Sequence, residues 1–167
     1  VSLKALLGAA APAIALTFSA APAQAAKVVS PPPACDASLT SPNAVACSGY
    51  FAGNLLGGSA DKIAAQQAGI AALPGDFTFD GNWSSLDSAY KIISLSGGNQ
   101  LNFGTKMFGQ TIVGAHFGNV AGAAKNVTVF WMFDLKDTGA DYITLDNTQG
   151  FSNAVLYTTG AVPEPST

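Results

Sequence analysis

The most restrictive feature of this sequence is one alternating run near its C-terminal end. Residues 127–135 read Val-Thr-Val-Phe-Trp-Met-Phe-Asp-Leu. Side chains of a strand alternate between its two faces, so Val127, Val129, Trp131, Phe133 and Leu135 fall on one side of an extended chain. A run this apolar is a core strand, and a core strand needs partners. The sequence after Pro74 supplies them. Short β-forming segments are expected at residues 77–79, 89–96, 101–103, 111–117, 142–146 and 154–159, separated by Gly, Asn and Asp at turn positions. Such a series predicts a mainly β fold, an antiparallel β-sandwich of jelly-roll-like kind.

One helix is expected ahead of the strands. Residues 60–73 are rich in Ala and Gln, Ile63, Ile70 and Leu73 lie near one face, and Pro74-Gly75 ends the segment. Ser59 sits where an N-cap belongs, with Asp61 in the first turn. Residues 34–58 read as turn-rich, and Pro31-Pro32-Pro33 as a stiff lead-in that cannot be helical.

Composition narrows the setting. Hydrophobic residues make up 49% and charged residues only 10%, where about a quarter is usual. Gly, Ala, Ser, Thr and Asn fill the difference, a mixture suited to an extracellular β-protein with many turns. All seven basic residues are lysines and the net charge is −3. A nucleic-acid partner, which needs a basic face against phosphates, is therefore excluded, as is a polybasic lipid patch.

Residues 1–25 have the form of a secretory signal peptide. Lys4 supplies the positive start, an apolar run follows, and Ala23-Gln24-Ala25 is an A-x-A cleavage site. Pro12 inside the run argues against an anchor helix. The expected organisation is a leader over 1–25, a Pro-rich lead-in over 26–34, one sandwich domain over 35–160, and a C-terminal segment over 161–167. Export places the chain in an oxidising compartment, where its two cysteines, Cys35 and Cys47, most simply pair. The bridge would contribute roughly 2–3 kcal/mol by loop entropy. No metal site is expected, because one histidine and two cysteines do not complete a ligand set.

Catalytic chemistry finds little purchase. The single histidine, His116, should face opposite to Val113, Ala115 and Phe117. No Gly-x-Ser-x-Gly elbow, phosphate-cradling loop or dinucleotide fingerprint accompanies it. Asp134, Asp137, Asp141 and Asp146 lack the spacing of a calcium loop, with Lys136 inside the stretch. They read as solvated carboxylates at a turn. No catalytic residue and no cofactor is assigned. Tyr90, Tyr142 and Tyr157 fall on expected strands and, with His116, form a candidate set of glycan contacts, since aromatic rings combine stacking area with a polar handle. The plain alternative is that these rings fill the core or pair across strands.

The last residues are Val162-Pro163-Glu164-Pro165-Ser166-Thr167. With the leader, this V-P-E-P box resembles the start of the PEP-CTERM sorting signal of exported bacterial proteins. Ala46-Cys47-Ser48-Gly49-Tyr50-Phe51-Ala52-Gly53-Asn54-Leu55-Leu56, Gly114-Ala115-His116-Phe117-Gly118-Asn119 and Ala154-Val155-Leu156-Tyr157 are similar to a recurrent small protein of that family. The resemblance implies processing by signal peptidase and an exosortase, a Gram-negative cell-surface or extracellular location, and an association with exopolysaccharide and biofilm. It implies only transient contact with the membrane and supplies no activity to carry onto residues. The hydrophobic span and basic tail that follow the box in that family lie outside this sequence, so the sorting expectation rests on the box. Three readings are thus in play: a non-enzymatic surface or matrix protein, a carbohydrate-binding module, and a secreted hydrolase, the first being preferred.

Overall fold

The computed structural model describes residues 37–118 and 126–164. The leader, the Pro31–Pro33 lead-in, Cys35 and Pro165 lie outside the described residues. After a short 3-10 turn, Ala37–Leu39, come β1 (Thr40–Ser41), β2 (Ala46–Ala52), α1 (Ala60–Ala71), α2 (Trp83–Ala89), β3 (Lys91–Ile92), β4 (Gln100–Leu101), β5 (Gln110–Phe117), β6 (Val127–Asp134), β7 (Ile143–Leu145) and β8 (Phe151–Thr158). They form two antiparallel sheets: five strands in the order β2-β6-β5-β8-β3, and three in the order β1-β7-β4. The architecture is mainly β and sandwich-like, with both helices on the outer face of the larger sheet.

The alternating run behaves as its pattern demands. Val127, Val129, Trp131, Phe133 and Leu135 all enter the core between the sheets, where they meet Val113, Ala115 and Phe117 of β5, Ala154 and Leu156 of β8, and Leu101, Ile143 and Leu145 of the smaller sheet. The intervening residues are buried too. Phe130 and Met132 point the other way, into a second core with Phe51, Ile112, Val155 and Tyr157, closed by Ala65, Ile70 and Leu86 of the helices. A strand buried on both faces reads as a near-continuous apolar run, which is what Val-Phe-Trp-Met-Phe is.

The helix layer approaches closely at one point. A Cβ on Gly69 of α1 would lie 2.4 Å from the Phe130 ring, and one on Gly114 of β5 would lie 2.9 Å from Tyr157 and 3.1 Å from Phe130. Glycine at both positions lets the Phe130 ring sit between helix and sheet. It meets Phe51 edge-on at 5.8 Å and Tyr157 at 5.9 Å, arrangements favoured by ring quadrupoles.

Several expectations need correction. Among the described residues there are two α-helices where one is expected. Residues 89–96 are not a strand: α2 occupies Trp83–Ala89, capped by the Asn82 carboxamide on the Ser85 N–H, and only Lys91–Ile92 pair with β8. Trp83 and Leu86, three apart, turn inward together. Residues 77–79 form no strand, and Phe79 packs edge-on against Tyr157 at 5.3 Å. The turn-rich region instead holds β2, which pairs with β6 from Ala46↔Met132 to Ala52↔Val127 across a register shift between Ser48 and Phe51. Its Ala-Cys-Ser-Gly start has weak β propensity, so pairing supplies what the residues do not. Ser59 does precede α1, yet its side chain caps no backbone N–H. Its hydroxyl bonds the Asp61 carboxylate instead, which, with the Lys62 N–H, holds that carboxyl below its usual value.

Candidate functional site

The outer face of the five-stranded sheet carries most of the polar organisation, built on two buried side chains of distant elements. Gln66 of α1 is fully buried. Its Nε2 donates to the carbonyls of Leu55 (2.8 Å), Gly57 (2.8 Å) and Lys62 (3.2 Å). Its Oε1 accepts from the Tyr157 hydroxyl at 2.7 Å. One carboxamide thereby ties the 53–58 loop, the helix and β8 together. Tyr157 is buried, which pushes its phenol well above the ordinary tyrosine value.

A polar row crosses the same face nearer one end. In register, Thr128 of β6 lies beside His116 of β5, which lies beside Asn153 of β8. Thr128 donates to the Gly53 carbonyl at 2.7 Å and accepts from the Leu55 N–H at 3.0 Å. His116 faces opposite to Val113, Ala115 and Phe117, which all enter the inter-sheet core. Its Nε2 bonds the Asn126 Oδ1 at 2.7 Å. A carboxamide oxygen only accepts, so the proton sits on Nε2. His116 Nδ1 and Asn153 Oδ1 are buried without a partner. This is a strand-end arrangement that orients Asn126, itself at φ 58°, where β6 begins.

The four candidate glycan contacts do not share one exposed surface. His116 and Tyr157 both lie on the helix-facing side of the larger sheet and are 6% and 8% exposed. Tyr90 follows α2, and its carbonyl accepts from the Leu156 N–H at 3.1 Å. Tyr142 precedes β7 in the smaller sheet. These last two are the exposed rings, at 41% and 43%.

Two concavities stand near these residues. A cleft of about 330 Å³ is lined by Phe77, Phe79, Asp80, Asn82, Leu86 and Tyr157, among others. Its rim is occupied with local bonding, since the Asp80 carboxylate accepts from the Asn82 N–H at 2.8 Å and Asn82 caps α2. A more open groove of about 490 Å³ is lined by Ser41, Pro42, Ala140, Asp141, Tyr142 and Thr144. Among the acidic stretch, Asp134 accepts from the Lys136 ammonium, which holds its carboxyl below the usual value. Asp137, Asp141 and Asp146 are exposed. Among the described residues no group of three or more His, Cys, Asp or Glu side chains converges.

Sequence reasoning missed Gln66, Thr128 and Asn153. A glutamine in an Ala/Gln helix carries no sign of burial, and Thr and Asn on a strand read equally well as surface. Cys47 lies half-buried in β2 and carries no free thiol. Residues 159–164, after β8, have no regular structure. Val162 is 74% exposed and Glu164 is exposed. Among the described residues no helix is long and apolar enough to cross a membrane. Comparison with protein-family models, with curated proteins and with solved structures finds no match for this chain.

Proposed function

We propose that this chain is an exported, non-enzymatic protein of the bacterial cell surface or extracellular matrix, sorted by an exosortase through its V-P-E-P box and associated with exopolysaccharide. The observation that carries the reading is the pairing of the leader sequence with the box at Val162–Pro163–Glu164–Pro165. A sorting enzyme must reach its motif in an extended, accessible chain, and Val162 and Glu164 are exposed beyond the last strand. In the same reading Cys47 pairs with Cys35. The absence of a free thiol at Cys47 supports this. The single histidine is engaged with a carboxamide on a strand end, an arrangement suited to structure rather than to turnover.

Fractionation of cells carrying the complete gene tests the proposal. The native protein is expected in the envelope or medium, with the leader removed and both cysteines oxidised. A Pro163→Ala, Glu164→Ala double variant is expected to accumulate unsorted. Intact protein in the cytosol with reduced thiols would overturn export, and unchanged sorting of the variant would overturn the role of the box.

A further inference from the structure

The groove on the smaller sheet brings an exposed aromatic ring together with a carboxylate and two hydroxyls. Tyr142 is one of two exposed aromatic rings among the described residues. It stands in a concavity of about 490 Å³ beside Pro42, with Ala140, Asp141, Ser41 and Thr144 completing the lining. The groove is mounted on paired strands, not on a loop tip: Ser41 of β1 lies opposite Thr144 of β7, and Leu101 and Gln100 of β4 hold β7 from the other side. Ala140 in the lining is fixed by reciprocal backbone bonds with Met107 at 2.9 and 2.8 Å. Asp141 is exposed, and the ion pairs found among the described residues do not include it. Tyr90, the other exposed ring, lies against β8 and lines neither concavity.

We infer that this groove is a subsite for a neutral saccharide ring. A pyranose has an apolar face of C–H groups and an equatorial belt of hydroxyls. The Tyr142 ring and Pro42 offer an apolar platform for the first. Asp141 is a carboxylate that can accept from two adjacent hydroxyls, and charge-assisted hydrogen bonds of this kind are the stronger ones. The Ser41 and Thr144 hydroxyls donate or accept as the ring requires. With no lysine lining the groove, an anionic sugar has no partner there and meets Asp141 as a like charge. The groove is open, so it suits one ring within a longer chain and not an enclosed small molecule. The inference does not depend on how the protein is exported.

The test is a glycan array of neutral and acidic oligosaccharides probed with the purified domain, followed by titration of the best-retained glycan. Retention of neutral glycans is expected. Tyr142→Ala should weaken the best of them by about tenfold or more, and Asp141→Asn should weaken it as well. Tyr142→Phe, which keeps the ring, should restore most of the affinity, and Tyr90→Ala should bind as the native protein does. Tyr142 is exposed, so melting temperatures should be unchanged. Failure to retain any glycan overturns the inference, as does binding that Tyr142→Ala leaves intact or preference for acidic glycans. None of these outcomes bears on sorting through the V-P-E-P box.

Discussion

The two faces of the five-stranded sheet are closed by different means. The inner face meets the smaller sheet through apolar side chains almost alone, from Val113 and Phe117 through Trp131 and Phe133 to Leu156. The outer face has an apolar centre around Phe130, but polar side chains position its cover. Gln66 fixes α1 to β8 and to the 53–58 loop, and Thr128 fixes that loop to β6. The hydrophobic effect is non-directional and scales with area, so the inner face holds the sheets together without dictating where a loop should run. Directional bonds do that on the outer face, where a helix layer could otherwise slide. Burial thus makes the fold, and a few buried amides and hydroxyls fix the placement of the helices.

Matched truncations should break this comparison most visibly. Phe133 and Phe130 are both fully buried, on opposite faces of the same strand. Truncation of such a ring to alanine costs about 3–5 kcal/mol, depending on how far the site can collapse. Phe133→Ala leaves its cavity between two sheets whose strands are pinned by pairing, so its cost should lie at the top of that range. Phe130→Ala leaves its cavity under a helix that meets the ring at Gly69, and α1 can settle inward. Its cost should be lower. Urea denaturation of the two variants decides the matter. Equal costs, or the reverse order, would mean that the helix layer is as rigid as the sandwich.

Removing direction without removing volume is the next largest change. Gln66→Leu retains the apolar stem and deletes the carboxamide. The Leu55 carbonyl and the Tyr157 hydroxyl, among its partners, then lose a bond in a buried setting, at about 1–3 kcal/mol for each group left unpaired. Hydrogen exchange should show where the loss falls. Amides of residues 54–72 should exchange faster, while those of β5 and β6 keep their protection up to the new global limit. Uniform acceleration across the domain would show that the amide supports the whole fold and not the placement of one layer.

The inner face was open to reading from the sequence because a period of two is visible in it. The expected strands at 111–117, 127–135, 142–146 and 154–159 fall within a few residues of β5, β6, β7 and β8. The helix at 60–73 is likewise close to α1, because its apolar spacing and Pro74-Gly75 mark it locally. The outer face was harder to see. Phe130 and Met132 sit at positions that alternation assigns to solvent, and only the unbroken apolar run of β6 hinted at a second cover. Then β2 begins with Ala-Cys-Ser-Gly, whose extended form depends on pairing with residues about eighty positions away. Residues 83–89 carry two serines and an aspartate around Trp83 and Leu86, too short a stretch for a period to declare itself. Of the candidate ligand contacts, Tyr142 is in a groove and Tyr157 is in the core, a difference that strand register decides and local sequence does not.

The smallest expected effect isolates the hydroxyl that links the two sides of the helix layer. Tyr157→Phe removes the donor to Gln66 and keeps the ring against Phe79 and Phe130. At neutral pH the loss should be about 0.5–1.5 kcal/mol. Its pH dependence is more telling. Burial raises the folded-state phenol well above its ordinary value, while in the unfolded chain it titrates near about 10. Below that pH the phenol is protonated in both states and its contribution is fully present. As the pH rises beyond it, the unfolded chain releases the proton and the folded chain does not, so stability falls. The phenylalanine variant lacks this loss, and the stability gap between the two proteins should narrow above pH 10 or so. A gap that stays constant through the alkaline range would mean that the phenol ionises as easily under the helices as in water, and that the outer face is wetter than its burial implies.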